Sequence, residues 1–297
     1  MSVVRVGFFA VAVLVAAPAA AQIAPECAGV SKPDDYDELV QADFLANYVS
    51  LATTLSPVHG PVPHEPGHGA VGLDVGVIPP LGCDRRLVLS GTKTEDTNKT
   101  PVVPRLRGTF AFDVFEGKVV PYLGLAYIPP VKFLGTTNVI ASGEVGIGVP
   151  VGEKVQLGGR YHFTLQKTVG EIATPFAPED PVYDDLYLAS SFGFDLMGGV
   201  KLGSVVPYAA AGLTDVSTFF YIGDDGVVTN NYHPYFGPVA SAGIDALIGE
   251  HFRLAGEYYG AFGGYSLPDD SMVRAEQASA GRYGHLHTAR LRLALEL

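Results

Sequence analysis

From residue 70 onward the chain keeps returning to one pattern: apolar and polar side chains alternate with a period of two, in runs of about 12–15 residues. The clearest run covers 154–166. There Val155, Leu157, Tyr161, Phe163 and Leu165 alternate with Lys154, Gln156, Arg160, His162, Thr164 and Gln166. The last run ends the chain, with Ala289, Leu291, Leu293, Leu295 and Leu297 set against Arg290, Arg292, Ala294 and Glu296. Val71, Leu73, Val75 and Val77 alternate with Gly72, Asp74 and Gly76, and Leu106, Phe110 and Phe112 with Arg105, Arg107 and Thr109. Further extended runs cover 119–128, 139–149, 184–200, 205–221, 235–247 and 251–262. Period two puts one chemistry on each face of a strand. Strands of globular proteins are typically ~5–6 residues long, whereas ~9–11 tilted residues cross a bilayer.

The connections carry the second constraint. Residues 115–118, 151–153, 202–204 and 249–250 read as tight turns, while 79–103, 129–136, 167–183, 222–234 and 263–282 are longer. Short and long connections alternate, so they fall at opposite ends of an up-and-down array. The expectation is an all-β fold: a closed antiparallel transmembrane barrel of about ten strands over 70–297, or twelve if 80–103 hides a hairpin around Leu87-Val88-Leu89.

Composition agrees. Mean hydropathy is +0.24 and only 17% of residues are charged, yet no stretch offers the ~18 consecutive apolar residues of a spanning helix. Without such a helix, a closed barrel is the way to cross lipid with every backbone group paired. A net charge of −12 argues against nucleic acid as a partner.

Residues 1–21 read as a secretory signal. Arg5 gives a positive start, 6–15 a short apolar core, and Ala19-Ala20-Ala21 a small-residue cleavage site. Residues 22–69 form a separate N-terminal segment. Ser31-Lys32-Pro33-Asp34 resembles a helix start, Tyr36, Val40, Phe44, Tyr48, Leu51 and Leu55 trace an apolar stripe, and Ser56-Pro57 stops it. This predicts an amphipathic helix over 32–55, followed by a Pro/His/Gly linker over 57–69.

With signal, strand ladder and the terminal run 290–297 in view, the chain resembles bacterial outer-membrane β-barrel proteins of the small-porin or OmpA-barrel kind, over roughly 70–297. That resemblance implies the outer membrane of a Gram-negative bacterium, contact with its lipid and lipopolysaccharide, and insertion by the barrel-assembly machinery. It implies no cofactor. Members of that family commonly end in an aromatic residue; this chain ends in Leu297.

Opposite the lipid-facing set, parity assigns Arg105, Arg107, Lys154, Arg160, Arg253, Arg290 and Arg292 to the lumen, with Asp113, Glu144, Asp195, Asp245, Glu257 and Glu296. The signs nearly balance, which suits a salt-bridged, filled interior in so narrow a barrel. Cys27 and Cys83, in an exported chain, read as one disulfide; two idle thiols are the alternative. A Cys27–Cys83 bond at the long-loop end would send the helix down the lumen as a plug. The competing placement is the periplasm.

Three other features invite chemistry. His64-Glu65-Pro66-Gly67-His68 matches a zinc-protease pattern, but Pro66 and Gly67 exclude the helix that pattern needs. His59, His64 and His68 remain weak metal candidates in a loop. Asp184, Asp185, His233, His285 and His287 fall near the outer rim, where a hydrolase would need them to converge. Acidic pairs in the long connections (Glu95-Asp96, Glu179-Asp180, Asp184-Asp185, Asp224-Asp225, Asp269-Asp270) read as turn formers. The first functional expectation is therefore a non-enzymatic barrel with a structural or surface-contacting role. The second is a narrow channel for small or hydrophobic solutes gated by the N-terminal helix, and the third a rim hydrolase.

Overall fold

The computed structural model describes residues 27, 29–30, 38–88, 93–95, 101–114, 116–133, 135–174, 181–223, 227–230, 235–262 and 286–297. Among the described residues one α-helix, α1 (Glu38–Thr53), precedes thirteen strands: β1 (Gly69–Val77), β2 (Leu87–Val88), β3 (Lys93–Thr94), β4 (Val102–Ala111), β5 (Val120–Phe133), β6 (Thr136–Val151), β7 (Val155–Gly170), β8 (Asp185–Val200), β9 (Val205–Ile222), β10 (Val227–Asn230), β11 (Tyr235–Ile248), β12 (Phe252–Ala261) and β13 (Leu286–Glu296). Ten of them close a barrel in the order β1-β4-β5-β6-β7-β8-β9-β11-β12-β13, every pair antiparallel. Closure joins first and last strands, with Asp74 opposite Arg292. At its lower edge Leu297 donates its N–H to the Gly69 carbonyl at 2.7 Å.

Parity sets the two faces as expected. Leu196 is 63% exposed on the outside, while Arg292 on the inside is 0% exposed. Leu106, Leu125, Val145, Ile147, Leu157, Phe194, Leu291 and Leu293 share the outer, apolar face. Apolar outside and charged inside is the reverse of a soluble barrel. The short turns gather at one end, called lower here. Gly203 and Gly249 adopt φ of 66° and 67° there, the left-handed geometry that glycine reaches without a Cβ clash.

Three expectations change. Residues 129–136 are not a long loop: β5 and β6 run on as a hairpin, with a bulge between Ile128 and Val131 that absorbs Pro129-Pro130. The hairpin around Leu87 exists as β2–β3, but it stands as its own two-stranded sheet and leaves the barrel at ten strands. The helix is not amphipathic in its setting. Apolar Phe44, Leu45, Leu51 and Ala52 and polar Asp43, Asn47, Ser50 and Thr53 are all buried, because protein surrounds it on every side. It packs against β1, β8, β9 and β13. Among the described residues no helix is long and apolar enough to cross a membrane.

The wall is uneven. β5 to β9 have 14 to 18 residues, whereas β1, β4, β12 and β13 have 9 to 11. The interior is divided by height. Its upper half holds an apolar cluster, built from Phe44, Tyr48, Leu51, Ile78, Val103, Ile140, Val216 and Val239, among buried polar groups such as Asp43, Asn47 and Gln166. Its lower half is charged.

Candidate functional site

A helix ends with four carbonyls that have no partner within it. Here α1 ends inside the barrel, where residues 52–56 are buried, and the wall supplies the donors. Arg290 donates from Nη1 to the Thr54 carbonyl at 2.7 Å and from Nη2 to that of Ala52 at 3.3 Å. Arg105 reaches the Thr53 carbonyl at 2.8 Å, Arg160 that of Leu55 at 2.8 Å, and Arg107 that of Ser56 at 3.0 Å. Four cations from β4, β7 and β13 thus converge on the negative end of the helix dipole. The Thr164 hydroxyl accepts from the Leu55 N–H at 3.0 Å, and Thr53 and Thr54 bond Gln166 and Ser191.

Acids complete the arrangement. Glu144 touches Arg107 and lies 2.7 Å from Arg160, Asp195 lies 2.8 Å from Arg160, and Asp74 lies 2.9 Å from Arg107. Lower down, Arg253 bridges Asp245 and Glu296, both at 2.8 Å. The acids also hold the chain that follows the helix. Glu257 accepts the Val58 N–H at 3.0 Å, and Asp245 that of Gly60 at 3.2 Å. Val58 needs holding: a branched residue at φ 47° is strained backbone that its surroundings must impose. Buried ion pairs add little stability over an apolar filling, but removing one member leaves a charge stranded.

The network therefore holds Arg105, Arg107, Glu144, Arg160, Asp195, Asp245, Arg253, Glu257, Arg290 and Arg292 inside. Asp113 and Lys154 are corrections. Both are exposed in lower-end turns, because β4 stops at Ala111 and β7 starts at Val155, and parity has no meaning beyond a strand end. Asp74 and His162 also face inward, and the alternation at 72–76 and 154–166 carried that signal.

The histidines separate. His59 is buried edge-on to Tyr122 with Nε2 3.4 Å from Glu144, and His64 is buried between Glu296 and Thr109. His68 is exposed beyond Gly67. Among the described residues no group of three or more His, Cys, Asp or Glu is placed to hold a metal ion. At the rim, Asp185 spends its carboxylate on the backbone N–H groups of Ile172, Ala173 and Gly223. His287 stacks on Tyr258 on the outer face, and His233 and His285 lie outside the described residues.

Cys27 and Cys83 form a disulfide with a Cα–Cα distance of 5.4 Å. Around it the upper end of α1 is held: Gln41 donates to the Arg85 carbonyl, and the Arg85 guanidinium lies 5.1 Å from the centre of the Phe44 ring. Tyr48 donates to the Pro79 carbonyl at 2.7 Å.

The class these features define is a closed, ten-stranded antiparallel β-barrel whose lumen is occupied by its own N-terminal segment. No protein-family model matches the chain, and no curated protein matches it. Among solved structures it is similar to Ail, the attachment invasion locus protein of Yersinia pestis, at 11% identity and a TM-score of 0.27, over 78% of this chain and 99% of that one. It is also similar to the P. putida toluene transporter TodX, at 12% identity and a TM-score of 0.32, over 76% of each chain. A third is CarO of Acinetobacter baumannii, at 12% identity and 0.20, over 76% and 96%. Scores this low carry no function across from those proteins.

Proposed function

We propose that this chain is an outer-membrane β-barrel of a Gram-negative bacterium, exported with a cleaved signal over 1–21 and kept closed by its own segment 38–64. Its role is structural or surface-contacting rather than enzymatic. The observation that carries the reading is the arginine group on the carbonyls of residues 52–56, which ties the segment to three separate strands. The apolar outer face supports placement in a bilayer, where lipid and lipopolysaccharide are the immediate partners and the barrel-assembly machinery inserts the chain.

A narrow channel gated by this segment is the second reading. In its favour, residues 54–64 are irregular chain held by side-chain contacts and form no strand of the wall.

Single-channel conductance of refolded protein in a planar bilayer separates the two. The closed-barrel reading expects silence from the full chain. Silence from a version lacking residues 22–56 as well, with insertion demonstrated, supports the structural role. Conductance that appears on deletion establishes the gated channel instead.

A further inference from the structure

One junction of the barrel wall is incompletely paired. β4 and β5 pair from Ala111–Tyr122 up to Leu106–Tyr127 and no further. Above that point β4 keeps its pairing to β1 through Val102, and β5 keeps its pairing to β6 through Phe133. The sequence explains where the ladder stops. At the lower end the Phe112 N–H donates to the Pro121 carbonyl at 2.8 Å. Hydrogen-bonded pairs recur every second residue in an antiparallel ladder, so even-numbered residues of β4 direct their N–H groups at β5. The next such pair above Leu106–Tyr127 sets Pro104 opposite Pro129. Neither has an N–H, so neither of the next two ladder bonds can form.

This break falls where lipid would lie. A crossing takes ~9–11 tilted residues, and β4 has only 10, so its upper residues 102–105 belong to the span. Unpaired donors are costly at that depth, and the two prolines remove two of them. Behind the break the inward side chains are Val103, Ile128 and Ile140, continuous with Ile78 and with Phe44, Tyr48 and Leu51 of the helix. Arg105, at the foot of the break, has its guanidinium turned to the Thr53 carbonyl.

We propose that the seam between β4 and β5 is a lateral portal that admits a hydrocarbon chain of a bilayer lipid to the apolar cluster beside the helix in the upper half of the lumen. The portal's walls are apolar, its backbone lacks the two donors that would continue the ladder at Pro104 and Pro129, and its outer mouth faces the bilayer. The inference rests on the bilayer placement proposed above.

The chain contains no tryptophan, so a single introduced one reports without background. Ile128→Trp places it in the seam, Leu125→Trp on the outer face, and Val239→Trp in the lumen away from the seam. Each is refolded in phosphatidylcholine and in phosphatidylcholine brominated on its acyl chains, with folding checked by heat-dependent gel mobility. The portal expects Ile128→Trp to lose as much emission to bromine as Leu125→Trp, while Val239→Trp loses none. Adding Pro104→Val and Pro129→Val restores both donors and should abolish the loss at Ile128→Trp. Should Ile128→Trp not fold, Val103→Trp serves in its place. Quenching at Leu125→Trp without quenching in the seam overturns the portal alone, as does quenching that survives the two proline replacements. An unquenched Leu125→Trp overturns the bilayer placement itself.

Discussion

Arg290 holds Thr54 by its backbone: the guanidinium donates to the Thr54 carbonyl at 2.7 Å while lying 4.1 Å from the centre of the Tyr259 ring. The wall thus grips the plug at an atom every residue possesses, so replacing plug side chains should matter less than replacing wall arginines. Arg290→Met removes two charge-assisted hydrogen bonds, each worth about 1.5–3 kcal/mol. It leaves two buried carbonyls without those donors. The expected result is a lower temperature for conversion from the fast to the slow gel form. Thr54→Val, which loses the hydroxyl's two contacts, to Ser191 and to the Ser50 carbonyl, and keeps its own carbonyl, should shift that temperature less. Equal shifts would place the grip on the side chain.

At the other end the plug is held covalently. The Cys27–Cys83 bond closes a loop spanning 56 positions, and a loop of that length constrains the unfolded chain by about 4 kcal/mol in the chain-entropy account. That loop contains the whole plug and β1. Cys27→Ser should therefore lower the conversion temperature and expose 38–64 to added protease, and reductant should do the same to the parent protein. An unchanged protease pattern would mean that the arginine contacts hold the plug unaided.

The strands were legible because both sides of each carry chemistry. Leu157 and Arg160 alternate strictly enough to assign wall and lumen before any pairing is known, and the structure keeps them there. The destination of the charges was not legible. Parity turns Arg107 and Glu144 inward, but the third partner is the Ser56 carbonyl, and no sequence pattern displays a backbone atom. Pro129-Pro130 reads as loop because proline lacks a donor. It sits in β5 all the same, where Pro129 falls opposite Pro104 and ends the ladder to β4, while the pairing to β6 resumes at Val131. The stripe on α1 suggests one buried face, but a lumen buries all of them.

Gly148 offers a way to move the plug without touching a charge. It lies on the inner face of β6, where a Cβ would stand 2.4 Å from the Pro61 carbonyl oxygen and 2.8 Å from Val62 Cγ2. Backbone passes too close there for any side chain. Gly148→Val should displace the chain around Pro61, at a cost of about 1–3 kcal/mol for overpacking. If the segment is what closes the lumen, the parent protein should be silent in a bilayer and brief conductance events should appear with the variant. A folded, inserted Gly148→Val barrel that stays silent would locate the closure higher, at the helix.

The lower end of the plug should respond to pH through His64. Its Nε2 lies 2.6 Å from Thr109 Oγ1 and its Nδ1 2.9 Å from Glu296. Thr109 accepts a hydrogen bond from Arg292 at 2.8 Å, so its own proton is free to go to Nε2. That leaves Nδ1–H to donate to Glu296, the neutral form of the ring. Burial pushes the His64 pKa below its ordinary 6.5, the nearby Arg253 and Arg292 push the same way, and Glu296 opposes them. With the folded value depressed, the unfolded or undocked chain binds the proton more readily. The docking contribution is then complete above about pH 6.5 and falls as the pH drops from there towards the lowered folded value. Measured as the conversion temperature between pH 7.5 and pH 5, on the order of the range in which histidine titrates, the parent should lose more than His64→Gln. Identical slopes would show that His64 carries none of the pH dependence.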